Sequence, residues 1–278
     1  MKREDAKKIT DQALADLKQE LQAGRSEALK RFLDFMSRFH NYSWLNCVLI
    51  ASQMPDASMV AGFRRWLKAG RHVRKGEKGI GILAPLAYRN KPTDDQPSDE
   101  NQTVIRGFKV VHVFDVSQTE GEELPQMASI HGDPGQLMSR LEDLIRTSGI
   151  TITDTTLPMG TEGVSLKGEI QIAEGLPPVE RFAVLAHEMA HEMMHTTEHR
   201  KKSAKTVNET EAEAVAYVVC RAFGLECSTR SSDYIQLYRG NDATLTESLG
   251  RIQQTATKII RSLDTSDRDA EEGSRYAA

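Results

Sequence analysis

The sequence predicts an α+β fold in two domains, and three observations lead there. Its 278 residues suit one large or two ordinary domains. Helix-patterned stretches and strand-like stretches are both read on each side of residue 122. The segment TEGEELPQMASIHGDPG, residues 119–135, combines acidic, Gly and Pro residues without hydrophobic periodicity, as an interdomain linker does. The expected layout is a first domain over 1–122, a linker over 123–135, a second domain over 136–264 and a disordered tail over 265–278.

Within the first domain, helical spacing predicts helices near 11–22, 27–39 and 44–52 and a short one near 62–69, followed by strands near 79–86 and 104–115. A polar, mobile loop, NKPTDDQPSDENQ, joins the two strands. The second domain reads as a helix near 135–148, strands near 150–153 and 164–172, helices near 178–196 and 206–223, and a last helix near 244–263. Leu245, Leu249, Ile252, Ala256, Ile259, Ile260 and Leu263 form the apolar stripe of that last helix.

Composition is that of a soluble globular protein, with 39% hydrophobic and 27% charged residues. No apolar run approaches the roughly 20 residues of a membrane span, so no membrane partner is expected. The N-terminus is charged and helix-patterned, unlike a secretory signal. Cys47, Cys220 and Cys227 are odd in number and lack CxxC spacing, which predicts reduced, buried thiols and a cytoplasmic location.

The densest chemical signal is His187-Glu188-Met189-Ala190-His191. On a helix, residues four apart share a face, so both imidazoles point one way and suit two ligands of one zinc ion. Glu188 then lies beside the open coordination position, as a general base would. Phe182, Val184, Leu185 and Ala186 lead in as a buried helix should, and Pro177 and Pro178 sit where helices start. HExxH is a short pattern, and a solvated charged helix beside a chance match is the competing reading. The third ligand decides. Glu209 lies eighteen residues after His191, room enough for a turn and a returning helix. Glu213, one turn further on the same face, suits the spare N–H of a ligating imidazole. Glu211 points elsewhere around the helix. His195 is the rival, but histidines at i, i+4 and i+8 drift around a straight helix. Glu192 and the methionines after it read as core or solvent positions.

The first domain carries a different signal. The whole chain has a formal charge of −4, yet the window Gly62–Lys91 holds nine basic residues against one acid, +8 in all, leaving −12 elsewhere. Phe63 and Trp66 lie inside the window and Phe39, Tyr42 and Trp44 just upstream. Basic side chains that meet phosphates beside rings that stack on bases are the means of holding single-stranded nucleic acid. This assigns Tyr42, Arg64, Arg65, Trp66, Lys68, Arg71, Arg74, Lys75 and Lys78 to a DNA face. The Arg74-Lys75-Gly76-Glu77-Lys78-Gly79 turn would bring backbone close to phosphate. A solvated basic face with Trp66 and Phe63 in the core is the plainer alternative.

The HExxH helix followed by Glu209, Ala212 and Glu213 resembles the gluzincin metallopeptidases, and among them the ImmA/IrrE-like peptidases. That resemblance implies one Zn2+ held by His187, His191 and Glu209, Glu188 as base, and a zincin-like second domain. It also implies an antiparallel edge strand over the cleft, for which 164–172 alternates well enough. Tyr217, Tyr234 and His199 are candidates to stabilise the oxyanion. MSRFHNYSWLNCVLIASQMP, then FRRWLKAG and the RKGEKG turn, resemble the N-terminal single-stranded-DNA-binding domain of ArdC-type antirestriction proteins. Those proteins place a zinc-peptidase-like domain after it, and here the likeness spans about 25–265. It implies protection of DNA entering a cell as a single strand during conjugation.

Two expectations follow. In one, a single-stranded-DNA-binding antirestriction protein of a mobile element carries a working zinc metalloendopeptidase, acting on an unidentified protein or peptide. In the other, a DNA-binding shield carries a structural or vestigial zinc. Glu188 favours the first, because a structural zinc needs no carboxylate there. The acidic remainder also admits DNA mimicry, against which the basic window argues.

Overall fold

The computed structural model describes residues 1–89, 103–124, 133–194, 205–226 and 242–264. The loop after residue 89, most of the linker, the tail, Cys227, His195, His199 and Tyr234 lie outside them. The chain divides into two compact units, Met1–Asp16 with Leu45–Pro125 and Leu17–Trp44 with Gln126–Ala278. Segment 17–44 groups with the second unit in this division.

The helices begin with α1 (Arg3–Gln22), longer at its start than its periodicity suggested, α2 (Glu27–Arg38) and α3 (Trp44–Gln53). In the first unit, β1 (Val60–Gly62), α4 (Phe63–Lys68), β2 (Arg71–Val73), β3 (Ile80–Arg89) and β4 (Thr103–Asp115) follow, and a 3₁₀ turn over Val116–Gln118 leads into β5 (Thr119–Gly121). β1, β4 and β3 form an antiparallel sheet in that order, with an irregularity between Pro85 and Ala87. β2 and β5 make a separate ribbon, so residues 119–121 are strand rather than linker.

Two devices fix this unit. Asn46 and Gln53, two helical turns apart on α3, dock onto the outer edge of β3. The Asn46 amide donates to the Leu83 carbonyl at 2.9 Å and accepts its N–H at 2.9 Å, and Gln53 does the same with Gly81 at 2.9 and 2.9 Å. An edge that would otherwise offer open backbone groups is thereby closed by side-chain amides. Asp115 is the second device. Its buried carboxylate accepts the N–H groups of Ser58 (2.8 Å), Met59 (2.9 Å) and Ser117 (3.0 Å). Burial opposes the charge on Asp115, but these donors outweigh it and hold the carboxyl below its ordinary range. The core gathers Cys47, Leu49, Ile50, Trp66, Ile80, Ile82 and Val113.

The second unit adds α5 (Gln136–Thr147), β6 (Thr151–Thr155), β7 (Gly163–Ser165), β8 (Glu169–Ala173), α6 (Pro178–Met194), α7 (Lys205–Ala222) and α8 (Asp242–Leu263) to α2. The order β6-β8-β7 puts β7 at an edge, antiparallel to β8, while β6 runs parallel to β8. The continuous strand expected over 164–172 is instead a hairpin. Lys167 and Gly168 take φ of 56° and 91°, the positive pair that a tight two-residue I′ turn requires. Alternation had masked the turn, since a two-residue reversal keeps the parity of the pattern.

Helices α6, α7 and α8 pack in sequence and α2 lies on α7. All seven residues of the predicted α8 stripe are buried. Glu211, buried on α7, accepts from Ser248 and Arg251 of α8, so it belongs to helix packing, away from the histidines. Cys47 is a buried free thiol, whereas Cys220 is disulfide-bonded, which corrects the expectation of three reduced cysteines. Among the described residues no helix is long and apolar enough to cross a membrane.

Candidate metal centre

Pro178 opens α6, where a missing N–H costs nothing, and the Arg181 N–H closes the first turn onto the Pro177 carbonyl at 2.9 Å. Phe182, Leu185, Ala186 and Met189 bury one side of the helix. That burial leaves His187 and His191 facing α7. Their Nε2 atoms stand 3.0 Å apart, with ring planes at 74°. Glu209 Oε2 lies 3.6 Å from His187 Nε2 and 3.4 Å from His191 Nε2. The side chains that the HExxH spacing and the later glutamate singled out therefore come together.

These separations suit a shared ion. Four tetrahedral ligands about 2.05 Å from zinc stand about 3.3 Å from one another. Cis ligands of an octahedral ion at about 2.1 Å stand about 3.0 Å apart. Distances of 3.0, 3.4 and 3.6 Å accommodate either, so the triangle fits a divalent cation without choosing among metals. Glu213 Oε2 approaches the other face of the first imidazole, 3.4 Å from His187 Nδ1, where it can fix the tautomer that turns Nε2 inward.

Electrostatics agree. Burial disfavours a charged His187, yet the carboxylates of Glu209 and Glu213, with Glu188 nearby, lift its imidazole to about 9. Glu209 in turn is held well below the ordinary carboxylate range by His187 first and His191 second. A protonated His187 supplies the positive charge that a metal cation would otherwise bring, so binding the ion must expel a proton.

Glu188 is buried under β7. A Cβ at Gly163 would fall 2.8 Å from Glu188 Oε1, 3.0 Å from its Cγ and 2.5 Å from Val184 Cγ1. Glycine at this position lets the edge strand lie directly on the carboxylate. Tyr217, an oxyanion candidate, is engaged elsewhere: its hydroxyl donates to Asp34 Oδ1 at 2.8 Å, and burial, then Asp34, push it up to about 12. Glu192, read from sequence as inert, accepts from Ser165 Oγ and from the Lys167 and Gly168 N–H groups at 3.1 Å each. Only a three-dimensional neighbour reveals that role.

The basic window maps onto α4 and the loops around β2. Arg64, Arg65, Lys68, Lys75 and Lys78 are exposed. Arg71 is tied to Thr119 Oγ1 at 2.9 Å and to the Glu122 carbonyl, and Arg74 pairs with Glu77 at 2.9 Å, so both pin the ribbon. Trp66 is corrected as a stacking residue: it is 2% exposed and donates its indole N–H to the Phe114 carbonyl at 2.9 Å. A six-residue helix must bury one side to stay folded, and Trp66 takes that side. Phe63 then faces outward, 50% exposed, with Leu67 one turn on at 49%. Tyr42 falls in the other unit, where its backbone carbonyl accepts from Gln253 at 2.9 Å.

A family model, the N-terminal domain of the anti-restriction factor ArdC, matches residues 3–116. An uncharacterized protein of Bacillus anthracis, pXO2-81, is 26% identical over 311 residues, covering 94% of this chain and 52% of that protein. The chain thus spans about half the length of this curated relative. Among solved structures, the metal-free antirestriction ArdC protein of plasmid R388 is similar with a TM-score of 0.53 at 16% identity, over 93% of this chain and 97% of that one. The Mn(II)-bound structure of the same protein gives 0.51 at 16% identity, over 94% and 98%. At such identity the likeness is one of fold.

Proposed function

We propose, from the ArdC N-terminal domain match over residues 3–116 and a fold similar to that of ArdC, that the chain is an ArdC-type antirestriction protein that holds single-stranded DNA on its first unit and hydrolyses peptide bonds with a zincin-like second unit. One observation carries the enzymatic half: the His187–His191–Glu209 triangle lies beside a buried Glu188 over which an edge strand is laid. A purely structural metal would call for no such carboxylate.

When bound, a zinc ion would lower the pKa of its water towards ~7 and polarise a carbonyl. His187, His191 and Glu209 would hold it, with Glu213 fixing the His187 ring. Glu188 takes the proton of the attacking water and returns it to the leaving amine. The backbone of β7 offers an edge to which an extended peptide adds as a further strand. Zinc is preferred on its donor set, two imidazoles and one carboxylate. The Mn(II)-bound relative makes manganese the first competitor to assay. The test is cleavage of an unfolded protein such as casein by metal-loaded chain, abolished by chelator and restored by zinc. Stoichiometric metal without cleavage would favour the second reading, a DNA-binding shield whose metal is structural.

For the DNA half, the exposed cations Arg64, Arg65, Lys68, Lys75 and Lys78 would meet phosphates. Phe63 rather than Trp66 supplies the ring on which a base stacks. Phe63→Ala is expected to weaken single-stranded DNA binding by about 5- to 150-fold, the range of one lost stack of ~1–3 kcal/mol, while leaving thermal stability unchanged. Trp66→Ala, by contrast, should lower the unfolding temperature, since it opens a buried cavity and removes the indole N–H bond to the Phe114 carbonyl. Fluorescence anisotropy and a melting curve on each variant separate the two roles, and unchanged affinity in Phe63→Ala would move the platform elsewhere.

A further inference from the structure

Glu192 lies one turn after Glu188 on α6, and its carboxylate gathers three donors from the β7–β8 turn: Ser165 Oγ and the N–H groups of Lys167 and Gly168 at 3.1 and 3.1 Å. The backbone there is unusual. Lys167, with φ of 56°, is the sole non-glycine residue with positive φ among the described residues. A lysine in that region is disfavoured sterically and persists where its surroundings hold it. The positive φ values of Lys167 and Gly168 turn two successive N–H groups towards one point, where the Glu192 carboxylate stands.

The edge strand is therefore fastened to the metal helix at both ends. At one end, Gly163 rests against Glu188 and Val184, with no room for a Cβ. At the other, the turn is held by Glu192. Between them lies Val164, so β7 has little freedom to shift along α6. We propose that Glu192 is a positioning residue that fixes the β7 edge over Glu188 and so sets the register in which an extended peptide adds to that edge. This rests on the peptidase reading above. Glu192 itself touches neither metal nor substrate; it acts through the turn.

The test uses the full chain loaded with zinc, its Glu192→Ala variant and Glu192→Gln, which keeps one acceptor oxygen. Three quantities are read: metal stoichiometry, amide exchange across residues 163–173, and affinity for an extended peptide hydroxamate against acetohydroxamate. Acetohydroxamate reaches the metal without needing the strand. In Glu192→Ala, exchange at Lys167 and Gly168 should quicken at least tenfold. Affinity for the peptide hydroxamate should fall ten- to a hundredfold, with acetohydroxamate affinity and metal content unchanged and Glu192→Gln in between. Unchanged exchange at the turn would overturn the proposal, as would equal weakening of both hydroxamates. A wild-type chain that binds metal but prefers the peptide hydroxamate no more than acetohydroxamate would overturn it too. A wild-type chain that binds no metal would instead bring down the peptidase reading, and the positioning role with it.

Discussion

Glu188→Gln should lower kcat/KM for peptide cleavage about a thousandfold or more while leaving metal stoichiometry intact. Glutamine keeps the shape that fits beneath Gly163 but cannot take a proton, and general-base catalysis contributes about 10²–10⁴-fold on its own. The carboxylate is buried next to His187, so a small substituent would disturb packing as well as chemistry; the isosteric amide separates the two. The check is a kinetic assay beside a metal assay on the same preparation. Residual cleavage within tenfold of wild type would assign the base to another group, and loss of metal would make Glu188 part of the ion's support.

Gly163→Val is the second large effect expected. The φ of Gly163 is not in the left-handed region, so the consequence is steric rather than conformational. A Cβ there meets Val184 Cγ1 at 2.5 Å and Glu188 Oε1 at 2.8 Å, contacts that side chains do not sustain. Either β7 lifts off α6 or Glu188 swings from its place. A displacement near 1 Å at a reacting centre costs about a hundredfold, so cleavage should fall by about that factor. The triangle of His187, His191 and Glu209 is built on α6 and α7 and should still bind its ion. Kinetics combined with metal titration check this, and a fully active Gly163→Val chain would show that the strand does not bear on the base.

Much of this arrangement was legible in the sequence because its signals are local. The stripe of α8, the HExxH spacing and the pairing of Glu209 with Glu213 at i+4 all follow from helical periodicity, and the structure places each on the expected face. What escaped notice depends on partners distant in sequence. β1, β2 and β5 are three residues each, too short to carry a period, and exist because β4 and one another supply their hydrogen bonds. α2 joins the second unit through Asp34, which pairs with Tyr217 and Arg221 at 2.8 and 2.8 Å, more than 180 residues away. Trp66 and Phe63 illustrate the same limit in miniature. Composition put both rings among cations, but only the packing of α4 against β4 decided that the tryptophan turns inward and the phenylalanine outward.

Peptide hydrolysis at this site requires the His187–His191–Glu209 triangle to bind a divalent ion. The most direct measurement is a calorimetric titration of metal-depleted chain with zinc at pH 6, 7 and 8, repeated in buffers of different ionisation enthalpy. Without metal, His187 stays protonated up to about 9, and the ion must displace that proton. Apparent affinity should therefore rise by up to about tenfold per pH unit below that value, with proton release, at one site per chain. Glu209→Gln and His191→Ala should abolish or greatly weaken the site. Absent binding, or binding that ignores both pH and these substitutions, would contradict the metal centre and the peptidase built upon it.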